Sequence, residues 1–98
     1  MIIRIVKMEF EPAAVDDFLE IFASSRDLIR SFEGCNHLQL LQDENDSSIF
    51  FTYSHWDTHE HLDAYRLSPL FETVWANTKR LFRAPAQAWS TVDRTFIQ

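Results

Sequence analysis

The chain has 98 residues, a net charge of −6 at pH 7, 46% hydrophobic residues and 24% charged ones. That is the make-up of one globular domain spanning residues 1–98, with too much apolar content for disorder. The acidic balance, with no basic patch, argues against nucleic acid or an anionic membrane as partner. The single Cys35 excludes an intrachain disulfide and any multi-cysteine zinc site, and fits a reducing compartment. No apolar run approaches the ~20 residues needed to span a bilayer. The opening MIIRIVKMEF, interrupted by Arg4 and Lys7, does not read as a signal peptide. A soluble, cytoplasmic protein is expected.

The segment IIRIVKMEF is β-branched and extended in character, and ends at Glu11-Pro12. One parity carries Ile2, Val6, Met8 and Phe10, the other Ile3 and Ile5, so both faces are partly apolar. Pro12 suits a helix first turn. From there Val15, Phe18, Leu19, Phe22, Ile29 and Phe32 recur at helical spacing, predicting a long amphipathic helix over roughly 12–32. Gly34, the only glycine, is expected to end it in a left-handed cap conformation. CNHLQLLQD (35–43) and IFFTYSHW (49–56) read as strands joined by the polar turn DENDSS, an antiparallel hairpin. Asp57 or Thr58 caps a short helix near 59–67. Ser68-Pro69 opens another, with Leu70, Phe71, Val74, Trp75, Thr78, Leu81 and Phe82 on one face, closed by Pro85. AQAWSTVDRTF (86–96) is a final strand.

The order β-α-β-β-α-β, with the second helix broken at Ser68, predicts an α+β, ferredoxin-like arrangement with an antiparallel sheet. Two helices cover only one face of a four-stranded sheet, yet the strands are apolar on both parities. At ~25 cal/mol per Å2, leaving such a face in water costs many kcal/mol. A second copy of the chain is the simplest cover, so a homodimer is expected.

Two stretches carry a resemblance: FEGC (32–35), where the first helix hands over to the hairpin, and HWDTHEHLDAYRLSPLF (55–71). The second runs through a strand-end Trp, a capped short helix, a ring-bearing residue, Ser, and the xLF of the next helix. Over nearly its whole length the chain resembles the antibiotic biosynthesis monooxygenase family, whose members form dimeric α/β barrels. The resemblance implies a pocket between the sheet and helices of each monomer. It also implies oxidation of electron-rich aromatics or quinols by O2 without metal, flavin or haem. Haem-degrading relatives use an Asn on the first strand, a Trp on the short helix and a His on the next. The matching positions here, Lys7 (or Val6, one residue along), Tyr65 and Trp75, carry none of these, so haem degradation is not expected. Many quinol-type relatives place a His where Tyr65 stands.

His55, His59 and His61 fall within seven residues, but they do not make a metal set. Two residues apart on a helix is about 200° of rotation, so His59 and His61 diverge. A strand-to-helix break separates His55 from His59, and no metal site is expected. His55 shares its parity with Ile49, Phe51 and Tyr53. If that face looks under the helices, Tyr53 and His55 line the cavity and His37 joins them, in place of an inert sheet-edge group. Tyr65 and Trp75 lie on the apolar sides of the broken helix, as core aromatics or as walls of a slot for a flat ligand. The functional expectation is therefore a cofactor-independent oxygenase of a small phenolic or quinol-like molecule. His55, Tyr65 and Tyr53 would handle protons there, and Trp75, His37 and Phe51 would hold the ring. The alternative is a dimeric α/β-barrel protein that binds a small aromatic metabolite without turnover.

Overall fold

The computed structural model describes residues 1–96. Strands β1 (Ile2–Phe10), β2 (Cys35–Gln42), β3 (Ile49–Trp56) and β4 (Phe82–Thr91) form one antiparallel sheet in the order β2-β3-β1-β4. Helices α1 (Val15–Arg30), α2 (His59–Arg66) and α3 (Pro69–Lys79) complete the ferredoxin-like α+β fold expected from the sequence.

The helices form for identifiable local reasons. A single 3-10 turn, Pro12–Ala14, precedes α1, whose apolar spacing buries Phe18 and Ile29. Asp16 and Asp17 in its first turn and Arg30 in its last complement the helix dipole. Of the two candidate caps for α2, Thr58 is the one used, its hydroxyl accepting from the His61 amide. Ser68 caps α3 through the Phe71 amide, with Pro69 in the first turn.

Three boundaries differ from expectation. α1 stops at Arg30 and not near residue 32, which frees Phe32 to pack its ring edge-on against Tyr65 at 5.4 Å. Gly34 does hold a left-handed φ of 88°, but in the turn that leads into β2, after the helix has already closed on Ser31. The third concerns Pro85, which does not close α3. It lies inside β4, which runs from Phe82 to Thr91 where a strand over 86–96 was expected. The register explains this. Lys7 pairs with Gln87 and Glu9 with Ala84, so Met8 faces two residues of β4, Pro85 and Ala86, across a bulge. A proline lacks the ladder N–H, and a bulge on an edge strand is where that loss is tolerated.

The core has two parts. Phe10 is fully buried, stacked on Phe18 at 4.1 Å and flanked by Phe50, Met8 and Leu81. At the other end Trp56, Leu62 and Cys35 are buried together, with Phe32 and Tyr65 packed on them. The space between these two clusters positions the site.

Candidate functional site

Strand parity decides which residues meet the helices. Arg4, Val6 and Met8 of β1 and Thr52, Ser54 and Trp56 of β3 point the same way as Leu38 and Ala88. Together with α1, α2 and α3 they enclose a cavity of about 260 Å3. Its far walls are Phe18, Phe22 and Ile29 of α1, Leu62, Tyr65 and Arg66 of α2, and Phe71, Val74, Trp75 and Thr78 of α3.

Of the residues proposed from the sequence, Tyr65 and Trp75 line this cavity. Tyr65 stacks on Trp56, with centroids at 4.9 Å and planes at 24°, and meets Phe71 edge-on at 5.3 Å. Trp75 lies parallel to Phe71 at 5.8 Å, with 11° between the planes. The rings thus form a continuous run from β3 through α2 to α3. Burial pushes the Tyr65 hydroxyl up to about 12, with the nearby Cys35 adding to the shift. At neutral pH this phenol keeps its proton.

His55, Tyr53, His37 and Phe51 stand on the opposite parity, on the sheet face that no helix covers. The condition on which they would line the cavity is not met. They do come together there: His37 and His55 are cross-strand partners with rings 4.9 Å apart, and Tyr53 meets His55 at 5.1 Å. His37 Nε2 pairs with Gln39 Oε1 at 2.8 Å, whereas His55 Nε2 is buried without a partner. Burial, and then the neighbouring His37, hold the His55 imidazole below its ordinary value. His59 Nε2 lies 3.3 Å from Asp63 Oδ2, and the His61 ring sits on Thr58 Oγ1 at 2.8 Å. No group of three or more His, Cys, Asp or Glu side chains among the described residues is arranged to hold a metal ion.

Sequence reasoning missed Arg4, Arg66, Ser54 and Thr52. For Arg4 a signal existed. On the parity Ile2, Arg4, Val6, Met8, Phe10 it is the one charged residue, and that is the parity facing the helices. Within the sheet it stands between Ser54 of β3 and Ser90 of β4, making one polar row. An apolar row through Ile2 and Trp56 lies on one side, and Ala88, Val6 and Thr52 lie on the other. Arg4 Nη1 donates to Ser90 Oγ at 2.9 Å, and the Trp56 indole N–H donates to Ser54 Oγ at 3.0 Å. The lining contains no histidine, carboxylate or cysteine among the described residues. Its titratable groups are Arg4, Arg66 and Tyr65.

The fold that encloses the cavity is shared with known proteins. A model of the antibiotic biosynthesis monooxygenase family matches residues 1–77. The chain belongs to the antibiotic biosynthesis monooxygenase family. Solved structures share its fold. A crystal structure of an antibiotic biosynthesis monooxygenase superposes with a TM-score of 0.89 at 18% identity, over 95% of this chain and 98% of that one. A conserved protein from Methanosarcina mazei Go1 gives 0.87 at 20%, over 93% and 91%. Rv0793 from Mycobacterium tuberculosis gives 0.88 at 15%, over 99% and 98%. No curated protein sequence matches the chain. At these identities the likeness is one of fold, and the haem question rests on this family member's own residues. Of the two first-strand candidates, Val6 lines the cavity, while Lys7 pairs with Glu9 on the other face. Val6, Tyr65 and Trp75 all line the cavity, and the lining holds no imidazole among the described residues.

Proposed function

We propose that this chain is a monooxygenase or quinol oxidase-like enzyme that brings a small phenolic or quinol-like ring together with O2. The observation that carries the reading is the cavity itself: about 260 Å3, ring-walled by Tyr65, Phe71 and Trp75, and apolar over most of its lining. That volume falls just under the roughly 300–1,000 Å3 of drug-sized sites, which suits a ligand of one or two rings. Trp75 and Phe71, already parallel, offer a flat surface for offset stacking.

In this reading the substrate supplies the electrons. A hydroquinone loses two protons and two electrons to O2, leaving quinone and hydrogen peroxide. In monooxygenation one oxygen atom enters the ring and the other leaves as water. The chain's residues bind, orient and exclude water, so that the electron-rich ring anion meets O2 and not solvent. Tyr65, held in its protonated form, acts as a hydrogen-bond donor to a substrate oxygen and not as the base. His55 and Tyr53, across the sheet, hand no proton directly to a ring held here. The substrate proton passes to solvent, favoured by the positive charge of the two arginines in the lining.

Oxygen uptake with a panel of hydroquinones and naphthols tests the reading. Uptake that saturates with substrate and is cut at least tenfold, as a rough threshold, by Trp75→Ala is the expected result. Saturable binding with no uptake by any member of the panel would replace it with the second reading, a non-catalytic binder of a small aromatic metabolite. The lack of a carboxylate or imidazole base in the lining favours that second reading.

The same proposal includes a second copy of the chain on the uncovered sheet face, giving a dimeric α/β barrel. That face presents Ile3, Ile5, Phe51 and Tyr53, together with Leu41 and Trp89, which are 45% and 46% exposed. Apolar groups of this size in one sheet face favour burial. Light scattering at micromolar concentration giving the mass of one 11.6 kDa chain would refute this part alone.

A further inference from the structure

The polar row on the cavity side of the sheet has no counterpart that explains it. Arg4 occupies the central strand β1, half-buried, with its side chain toward the helices. A guanidinium carries five N–H donors, and one of the Arg4 nitrogens is engaged, by the neutral Ser90 hydroxyl. The second cation of the lining is Arg66, at the end of α2. Like charges brought together beside an apolar cavity oppose folding. Among the described residues neither Arg4 nor Arg66 forms an ion pair, although the chain has 15 acidic residues against 9 basic ones. Arg83 shows the contrast: on the other side of the molecule it is held by both Glu9 and Asp46. Burial, and then the solvent-exposed Arg66, depress the Arg4 guanidinium below its ordinary value, so the half-buried Arg4 is the charge left without a counter-ion among the described residues. The last-turn position of Arg66 on α2 accounts for that residue by itself, but nothing comparable accounts for Arg4 in the middle of a sheet.

We propose that Arg4 and Arg66 form an anion-holding corner of the cavity, and that its ligand is a flat aromatic carboxylate whose ring lies along Trp75 and Tyr65. The carboxylate supplies the two acceptor oxygens that a guanidinium fork matches. The rings of α2 and α3 take the apolar part. This rests on the aromatic-pocket reading above and narrows it: the substrate carries a negative group remote from the carbon that reacts. Binding energy from that group fixes the ring's position.

The probes are 2-hydroxybenzoate and its amide, 2-hydroxybenzamide, which differ in charge and share the ring. Titration followed by quenching of tryptophan fluorescence gives both affinities. The acid is expected to bind about tenfold more tightly than the amide, as a charged hydrogen-bonded contact would provide. In Arg4→Met the ratio falls to about one through loss of affinity for the acid, while in Arg4→Lys part of it is kept. Arg66→Met reduces it less. The melting temperature of Arg4→Met without ligand is expected to match or exceed that of the parent, because an unpaired charge has left a half-buried place. Three results overturn the proposal: equal affinity for acid and amide, no binding of either at millimolar concentration, or an Arg4→Met chain that is less stable yet keeps its preference for the acid. Uptake of O2 with uncharged hydroquinones alongside equal acid and amide affinity sinks the anion corner alone. Preference for the acid with no O2 uptake by any substrate sinks the oxidase reading alone.

Discussion

Replacing Gly34 by alanine tests how the turn before β2 is built. The residue sits at φ 88°, where an L side chain meets its own backbone, and a Cβ there would overlap Cβ and Cγ of His61. The backbone term is about 1 kcal/mol. Pushing His61 aside costs about 2 kcal/mol more, as overpacking in a fitted site does. His61 cannot simply swing away, because its ring is held by Thr58 at 2.8 Å and its amide by the same hydroxyl. The total of about 3 kcal/mol lowers the melting temperature of a domain this size on the order of 15 °C. His61→Gly removes ring and Cβ together, at about 1 kcal/mol for a glycine near the helix start. The double variant should then be destabilised by about 2 kcal/mol and not by 4, a coupling near 2 kcal/mol. Urea unfolding of the four proteins measures the cycle. Additivity within about 0.5 kcal/mol would show that Gly34 is needed for its φ alone and that the contact with His61 is immaterial.

The remaining predictions concern pH, thiol chemistry and the two halves of the core. His55 titrates near 6.5 when unfolded and lower when folded, so between those values the unfolded chain binds more protons. Stability should therefore fall as pH drops below about 6.5 and level off below the folded value, and His55→Gln should flatten that slope in denaturant titrations at pH 5 and 7. The groups facing His55 are His37 from β2, Tyr53 on its own strand and Ile3 from β1, and no carboxylate pairs with either imidazole among the described residues. Cys35 is 5% exposed and burial pushes its thiol up, against the weaker opposing effects of the His37 backbone and Arg30. A colorimetric disulfide reagent should label it at least tenfold more slowly in the folded protein than in urea, as a rough bound. Phe10→Ala, at the fully buried centre of the first cluster, should cost about 4 kcal/mol in urea unfolding, with the m-value unchanged.

Much of the fold was legible because single residues mark its boundaries. Thr58 and Ser68 cap, Pro69 opens α3, and the polar turn after Asp43 reverses the chain by bonding its carboxylate to the amides of Asn45 and Asp46. Less legible was which face of the sheet the helices cover. Both parities of β1 and β3 are rich in Ile, Phe and aromatic residues, so alternation alone could not choose between His55 and Ser54 as the inward residue. The deciding parity is fixed by how α1 and α3 pack, a long-range matter that no local window contains. Arg4 reads, from the sequence alone, as no more than a charge interrupting the opening apolar run. It becomes informative only once Val6, Met8 and Phe10 are seen to face the core. The end of α3 was misplaced for a related reason. Leu81 and Phe82 continue the helical spacing, but the core they join includes Phe10 on β1, reached by turning the chain at Arg80 and not by prolonging the helix.

The bulge at Pro85 has a consequence for how copies of this protein can meet. An edge strand with an unbroken row of donors and acceptors is an invitation to add another strand, and repeated addition gives fibres. β4 forms one outer edge of the sheet, and within it Pro85 has no N–H to offer and the bulge twists the neighbouring backbone out of line. On that side the sheet stops at four strands. The bulge around Pro85 breaks the regular run of that edge, which makes it a poorer template for a further strand than an unbroken one.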